Sequence, residues 1–278
     1  MSDPEFLALI AEKLDRLTVA VDRLSGAAPA EPAGLAEADA YHWHMRTKQL
    51  IPVKHVNRVP LELLRGIDDL KALLEQNTVQ FARGFAANNA LLWGAKGMGK
   101  SSLVKALHAE ISGRADKDLR PLVLVEINRE DLASLPDLMR ALAPLPAQFI
   151  VLCDDLSFDH DGADYKSLKS ILDGGLEGRP PNVIFYVTSN RRHLMPRDMI
   201  DNERSTAIIP DETVDEKVSL SDRFGLWLGF HNCSQDDYLE MISAYCAHYD
   251  LQITPEQIRS RAIEWAQTRG ARSGRVAI

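Results

Sequence analysis

A glycine-rich stretch from Gly94 to Ser101 fits the pattern G-x-x-x-x-G-K-[ST], in which backbone N–H groups surround a polyphosphate. The glycines permit this turn, and the helix expected to follow points its partly positive N-terminus at the same anion. The pattern places Lys100 for the β- and γ-phosphates and the Ser101 hydroxyl for magnesium, which prefers oxygen ligands. The alternative is a chance match in a glycine-rich turn, but an apolar run precedes the stretch and a helical pattern follows it. Contacts to the nucleotide are expected from Gly94, Ala95, Lys96, Gly97, Met98, Gly99, Lys100, Ser101 and Ser102.

Two carboxylates end a second apolar run, from Phe149 to Cys153. One complete predicted strand separates this run from the phosphate loop, which is the layout of a Walker B element. Asp154 is expected to hold magnesium, directly or through water, and Asp155 to polarise the attacking water as a base. A strand that merely ends at a polar turn is the alternative.

A third polar position is Asn190, which follows the apolar run Asn182 to Thr188. We expect Asn190 to lie near the γ-phosphate and to orient the attacking water; a helix-capping role is the alternative. Arg191, Arg192 and His193 follow directly and form either a basic functional surface or a solvated face.

Two arginines near the end of the chain are candidates for contacts to the γ-phosphate. Arg223, in the segment SLSDRFG, is expected to reach the nucleotide of a neighbouring subunit, with an internal salt bridge as the alternative. In the segment RGARSGR, Arg272 is favoured over Arg275 for closing over the bound nucleotide. Cations at a helix N-terminus oppose the helix dipole, which favours a ligand role over a capping role.

Apolar strands that alternate with helices must position these residues. Strands are predicted at 90–93, 121–127, 148–153, 182–188 and 206–209, and helices at 59–74, 76–83, 101–111, 129–142 and 165–172. This pattern indicates a parallel sheet that is covered on both faces, with ligands at the carboxyl ends of its strands. Capping signals at Ser234 and Thr254 then predict a small domain made only of helices.

The predicted organisation has four parts. Residues 1–25 have apolar residues in a heptad spacing, which is typical of an amphipathic helix. This helix is expected either to associate with another copy of itself or to dock on its own domain. Residues 26–50 are expected to be a linker, 51–232 the nucleotide-binding core and 233–278 a helical lid. The position of residues 51–59 and 66–67, upstream of the first core strand, suggests that they cradle the adenine.

Composition narrows the function classes. The chain has 278 residues, a net charge of −8 and three cysteines without a paired spacing, which disfavours a disulfide framework or a zinc site and favours the cytoplasm. No apolar run is long enough to span a membrane, and the N-terminus lacks the layout of a secretory signal. The negative charge argues against nucleic acid as a bulk electrostatic partner, although a local basic patch remains open.

Several long segments together resemble a known family. The segments are NNALLWGAKGMGKSSLVKAL, FIVLCDDLSFD, YKSLKSILDGGLEGRPPNVIFYVTSNRRHL, EKVSLSDRFGLWLGF and GARSGRVA. They look like the bacterial AAA+ ATP-binding family catalogued as domain of unknown function 815. The resemblance implies an α/β fold, an αβα sandwich on a five-stranded parallel sheet, with a helical lid and ATP between the two. By position it assigns the family's Walker A element to Gly94–Ser101 and its Walker B acids to Asp154 and Asp155. Sensor one then falls on Asn190, the arginine finger on Arg223 and sensor two on Arg272.

Two residues depart from the common pattern. Met98 stands where the family usually has threonine, which the loop should tolerate because it works through its backbone there. Asp155 stands where many AAA+ proteins have glutamate, one methylene longer, so hydrolysis is expected to be slow or to use another acid such as Asp159.

The resulting expectation is a magnesium-dependent ATPase that drives a conformational change in an unidentified protein or nucleic-acid partner. Arg223 acting in trans implies a homo-oligomer, as a ring or a filament. A nucleotide-gated switch or loader that hydrolyses ATP slowly is the alternative. A small-molecule kinase with the same loop is disfavoured by the segments SDRFG and GARSGR.

Overall fold

A computed structural model describes residues 38–158, 163–174, 178–192, 194, 220–270 and 272–278. The predicted N-terminal helix, residues 26–37 of the predicted linker and the predicted strand at 206–209 lie outside these ranges, as do Asp159 and His193.

A single sheet of seven strands organises the described residues, with the order β2-β1-β4-β5-β6-β3-β7. All neighbouring strands are parallel except β1 and β2, which are antiparallel. The strands are β1 (Ala40–His44), β2 (Gln49–Pro52), β3 (Ala90–Gly94), β4 (Leu122–Glu126), β5 (Gln148–Cys153), β6 (Val183–Ser189) and β7 (Leu226–Phe230). Every residue of β5 and β6 is buried, as expected for central strands covered on both faces.

The sheet therefore has seven strands among the described residues, which corrects the prediction of five. The predicted linker overlaps β1 and the beginning of β2, and β7 has no counterpart among the predicted strands. In β1 the polar residues His42 and His44 alternate with buried aromatic residues, so the segment lacks a continuous apolar run. Trp43 is buried and donates a hydrogen bond from Nε1 to Ser134 Oγ at 2.8 Å, a contact between distant parts of the chain.

Helices cover the sheet on both sides. They are α1 (Asp68–Ala82), α2 (Lys100–Ser112), α3 (Leu135–Leu142), α4 (Ala163–Leu172), α5 (Gln235–His248), α6 (Pro255–Arg269) and α7 (Gly274–Ala277), with short 3-10 helices at Leu61–Leu63 and Arg129–Ser134. The helix predicted at 59–74 is broken, because Gly66 adopts a positive φ of 73° between the first 3-10 helix and α1. On one face of the sheet, apolar residues of α1 and α2 pack in one core with those of the central strands.

The last three helices lie within residues 233–278, the segment predicted to be a lid. α5 and α6 each begin with a complete capping box, at Ser234 and Thr254, as the sequence indicated. Tyr238, Ala262 and Ala266 form a small apolar core between these two helices. These helices contact the rest of the fold near Gly66, where a Cβ atom would lie 3.1 Å from the carboxyl carbon of Asp237.

No helix among the described residues is both long enough and apolar enough to cross a lipid bilayer.

Candidate nucleotide-binding site

The glycine-rich stretch Gly94–Ser101, the predicted phosphate loop, joins the end of β3 to the start of α2. Gly94, Gly97 and Gly99 have φ values of 125°, 76° and 86°, a region that glycine adopts without the steric cost of a side chain. Gly97 is also needed for space, because a Cβ atom there would lie 2.9 Å from Ser273 Oγ of the lid. Met98 is buried in the main core, so its side chain serves packing and the loop presents its backbone.

Lys100 is held inside this loop. Its Nζ donates hydrogen bonds to the carbonyl oxygens of Gly94 and Ala95, both at 2.9 Å, and to Asn190 Oδ1 at 3.1 Å. Burial lowers the pKa of Lys100, and the carboxylates of Asp155 and Asp154 oppose that effect. The ammonium group thus lies where the motif predicts a phosphate contact, and it is fixed by acceptors at the ends of β3 and β6.

Asp154 is positioned by two hydroxyl groups. Ser101 Oγ and Thr188 Oγ1 both donate hydrogen bonds to Asp154 Oδ1. Ser101 and Asp154 therefore place a hydroxyl and a carboxylate oxygen side by side at the mouth of the loop. These are the hard oxygen ligands that magnesium prefers, so the residues fit the predicted metal.

Asp155 has an unusual backbone conformation and is held by Thr188 and Asn190. Its φ is 51°, in the left-handed region that few residues other than glycine adopt. The Asp155 N–H donates to Thr188 Oγ1 at 2.9 Å, and its carboxylate accepts a hydrogen bond from Asn190 Nδ2. Lys100, Asn190 and Asp155 thus form one chain of hydrogen bonds.

Thr188 joins the candidate site, although the sequence pattern pointed to Asn190 in the same segment. The hydroxyl of Thr188 contacts both acidic residues, and its side chain is buried. The register of the sheet explains this position, because Cys153 pairs with Val187 and the next residues, Asp154 and Thr188, are neighbours. A threonine at the end of an apolar strand carries no local signal for this role.

The lid reaches the loop through α7. The Arg275 N–H donates to the Gly97 carbonyl oxygen at 3.3 Å, and the charge of Arg275 contributes to the lowered pKa of Lys100. Arg272, the arginine favoured from sequence, is exposed and acts electrostatically on Cys233. Of the two candidates, the structure therefore brings Arg275 to the phosphate loop.

Arg223 lies away from this site in its own chain. It precedes β7, whereas the phosphate loop follows the other end of the neighbouring strand β3. The guanidinium group pairs with Asp173, just after α4. The internal salt bridge that was the sequence-based alternative is thus present in the single chain.

A second cation lies beside the loop. The guanidinium carbon of Arg192 is 5.4 Å from the ring centroid of Trp93, and His231 meets the same ring edge-on at 5.8 Å. Gly229 makes room for this arrangement, since a Cβ atom there would lie 2.8 Å from Trp93 Cζ2. Arg192 thus joins a cation–aromatic cluster at the carboxyl ends of three strands.

Comparison with known proteins supports the architecture. A model of the family described as "Protein of unknown function (DUF815)" matches residues 36–278. Among solved structures, the RuvB Holliday junction branch migration motor of Thermotoga maritima is similar at 18% identity and a TM-score of 0.51, over 79% of this chain and 61% of that one. The ORC1 protein of Aeropyrum pernix, in complex with DNA, is similar at 14% identity and a TM-score of 0.57, over 78% of this chain and 61% of that one.

At these identities the likeness shows the fold alone. This chain spans 61% of the length of each of those two proteins. A search among proteins with curated descriptions found no match.

Proposed function

The chain belongs to the DUF815 family, and we propose that it is an AAA+ ATPase that binds ATP with magnesium and hydrolyses it to ADP and phosphate. One observation is the main support for the proposal. Polar residues from three segments of the chain meet at one edge of the parallel sheet, namely Lys100, Ser101, Asp154, Asp155 and Asn190. Crevices at the carboxyl ends of such strands are where ligands bind in open α/β sheets.

Each residue has a chemical role in this proposal. Lys100 contacts the β- and γ-phosphates, and Arg272 or Arg275 contributes a second cation from the lid. Ser101 and Asp154 would hold magnesium, which neutralises the charge that develops on the phosphates. Asp155 accepts a proton from the attacking water, and Asn190 orients that water.

We also propose an assembly in the cytoplasm in which Arg223 completes the site of a neighbouring subunit. Arg223 precedes β7 and so lies at the opposite end of the strands from its own phosphate loop, which supports a role toward another copy. The energy of hydrolysis would act on a protein or nucleic-acid partner. The branch migration motor and the DNA complex named above share the fold and are consistent with that class of work.

A slowly hydrolysing switch is a second candidate, favoured by the geometry of Asp155. Its carboxylate is engaged by Asn190, and the aspartate is one methylene shorter than the glutamate common at this position. Release of Asp155 from Asn190 would then be the step that a partner controls.

The test is ATP binding and turnover by the full chain with three variants. Lys100→Ala is expected to weaken binding roughly a hundredfold, because a preorganised cation contact to phosphate is lost. Asp155→Asn is expected to keep binding and to lose turnover. Lys105→Ala, in the same helix, removes a cation that pairs with Glu126 at 3.9 Å and serves as the control.

The outcomes separate the candidates. Binding without turnover in the unaltered chain supports the switch, and turnover that survives Asp155→Asn refutes the assigned base. Unchanged ATP binding by Lys100→Ala, in a variant that melts like the unaltered chain, refutes the proposed site.

A further inference from the structure

The outer face of helix α6 carries an unusual side-chain pattern. Arg261, Trp265 and Arg269 follow one another at intervals of four residues, which places them along one stripe of the helix about 6 Å apart on its axis. We call these three residues the arginine–tryptophan stripe. Trp265 is 46% exposed, and it is not part of the small lid core formed by Tyr238, Ala262 and Ala266.

The aromatic ring and a cation of the stripe are in contact. The guanidinium carbon of Arg269 lies 4.5 Å from the ring centroid of Trp265, a cation–π geometry. Arg261 lies one turn before Trp265 and is exposed. The exposed aromatic ring thus contacts one guanidinium group and lies one helical turn from the residue that carries a second.

Charge is segregated strongly in this part of the chain. Residues 259–275 contain five arginines and one acidic residue, Glu264, in a chain whose net charge is −8. No carboxylate of the described residues lies within ion-pair distance of Arg259, Arg261, Arg269 or Arg272. By contrast, other exposed arginines such as Arg83 and Arg140 do have carboxylate partners.

We propose that the arginine–tryptophan stripe binds single-stranded nucleic acid, with phosphates on Arg261 and Arg269 and a base stacked on Trp265. Guanidinium groups suit phosphate oxygens, and an exposed aromatic ring suits the face of any base. Such binding has little sequence preference and depends strongly on salt. The chain's overall negative charge confines the interaction to this local patch.

The surroundings of Trp265 favour this occupant over a folded protein. Protein interfaces are also enriched in tryptophan and arginine, but they bury the tryptophan in a desolvated and largely apolar centre. Here the residues one turn before and one turn after Trp265 are both arginines. The acidic surface of a second copy of this chain is the competing occupant, and the experiment separates it.

The test uses the full chain and a fluorescein-labelled single strand of thymidylates, about 20 nucleotides long, which exceeds the usual site size of a small binding domain. Binding is followed by anisotropy over a series of salt concentrations, without ATP. The proposal does not depend on hydrolysis, so its failure would leave the proposed ATPase untouched, and the reverse also holds.

The expected results are specific to the stripe. Trp265→Ala is expected to weaken binding roughly tenfold, and Trp265→Phe less, because the smaller ring still stacks. Arg261→Gln and Arg269→Gln are each expected to reduce the slope of log K against log salt by about 0.7. Lys117→Ala, which removes an exposed cation outside the stripe, leaves affinity and slope unchanged.

Three results would overturn the proposal. The first is no binding at low salt, and the second is binding that none of the stripe variants alters. The third is self-association in sedimentation experiments that the same variants abolish, together with no effect on the labelled strand, which would assign the stripe to a second copy. Trp265→Phe guards against a folding defect, since it retains an aromatic side chain.

Discussion

Around the phosphate loop, Lys100, Asn190 and Asp155 are joined by hydrogen bonds, whereas Arg261 and Arg269 on the lid have no carboxylate partner among the described residues. The two regions differ in burial as well. Lys100 is 8% exposed, and Trp265 is 46% exposed. A buried polar group must be satisfied by its neighbours, while an exposed arginine is satisfied by water at little cost.

The difference in burial and pairing determines how substitutions should act in each region. Around the phosphate loop, hydrogen bonds between polar groups hold those groups in place, so a substitution there alters the geometry of several groups at once. On the lid, the charges are independent of one another, so substitutions should act one by one on affinity. The following predictions test that contrast.

The largest effect is expected from His108, a buried histidine in α2. Burial lowers the pKa of His108 to about 4, from 6.5, while Nε2 bonds to the Leu122 carbonyl oxygen at 3.0 Å and Arg58 lies 3.1 Å from Nδ1. The unfolded chain takes up a proton below pH 6.5 that the folded chain refuses until about pH 4. The free energy of unfolding should therefore fall between these two pH values, by up to about 3 kcal/mol.

The measurement is urea unfolding from pH 7 to pH 4. His108→Gln is expected to flatten the profile, and His248→Gln, at an exposed histidine of the lid, to leave it unchanged. Parallel profiles for the unaltered chain and His108→Gln would contradict the prediction.

The next effect concerns Thr188, whose hydroxyl contacts both Asp154 and Asp155. If the proposed ATPase is correct, Thr188→Val should lower kcat roughly thirtyfold, since a small displacement of the acids is costly, and should change ATP affinity little. Thr188→Ser keeps the hydroxyl and should restore turnover. Normal turnover in Thr188→Val together with a loss of kcat in Thr188→Ser would show that the methyl group, and not the hydroxyl, matters.

A smaller effect is expected in the lid, from the cap of α6. Thr254 Oγ1 accepts a hydrogen bond from the Gln257 N–H at 3.3 Å, so Thr254→Ala should destabilise the helix by about 1 kcal/mol. Hydrogen exchange of the α6 amides measures this directly. Thr268→Ala, near the other end of the same helix, removes a hydroxyl that bonds to the Glu264 carbonyl oxygen and should change exchange little.

The smallest effect is expected from Asp173, the partner of Arg223. A partly exposed ion pair is worth little, so Asp173→Asn should raise turnover only about twofold at low protein concentration, by releasing Arg223 for a neighbouring subunit. Turnover measured against protein concentration tests this, with Asp222→Asn as the control at the exposed neighbouring carboxylate. A fall in turnover would indicate that the pair positions Arg223 productively.

Local patterns in the sequence were sufficient for several elements. The phosphate loop and the capping boxes at Ser234 and Thr254 depend on hydrogen bonds and φ values within a few residues, so their residue types reveal them. The buried strands β3, β5 and β6 were predicted because apolar residues are nearly continuous there. β1 was missed because its histidines alternate with aromatic residues that are buried only by packing against distant segments.

The sequence by itself thus determined the α/β class, the phosphate loop, the acids after β5 and the capped helices of the lid. Only the tertiary structure decided that Thr188 contacts both acids, that Arg275 approaches Gly97, and that Arg223 pairs with Asp173. The physical reason is the range of the interactions. Turns and caps are fixed by neighbouring residues, whereas contacts between strands, and between lid and loop, depend on the register and packing of segments far apart in the chain.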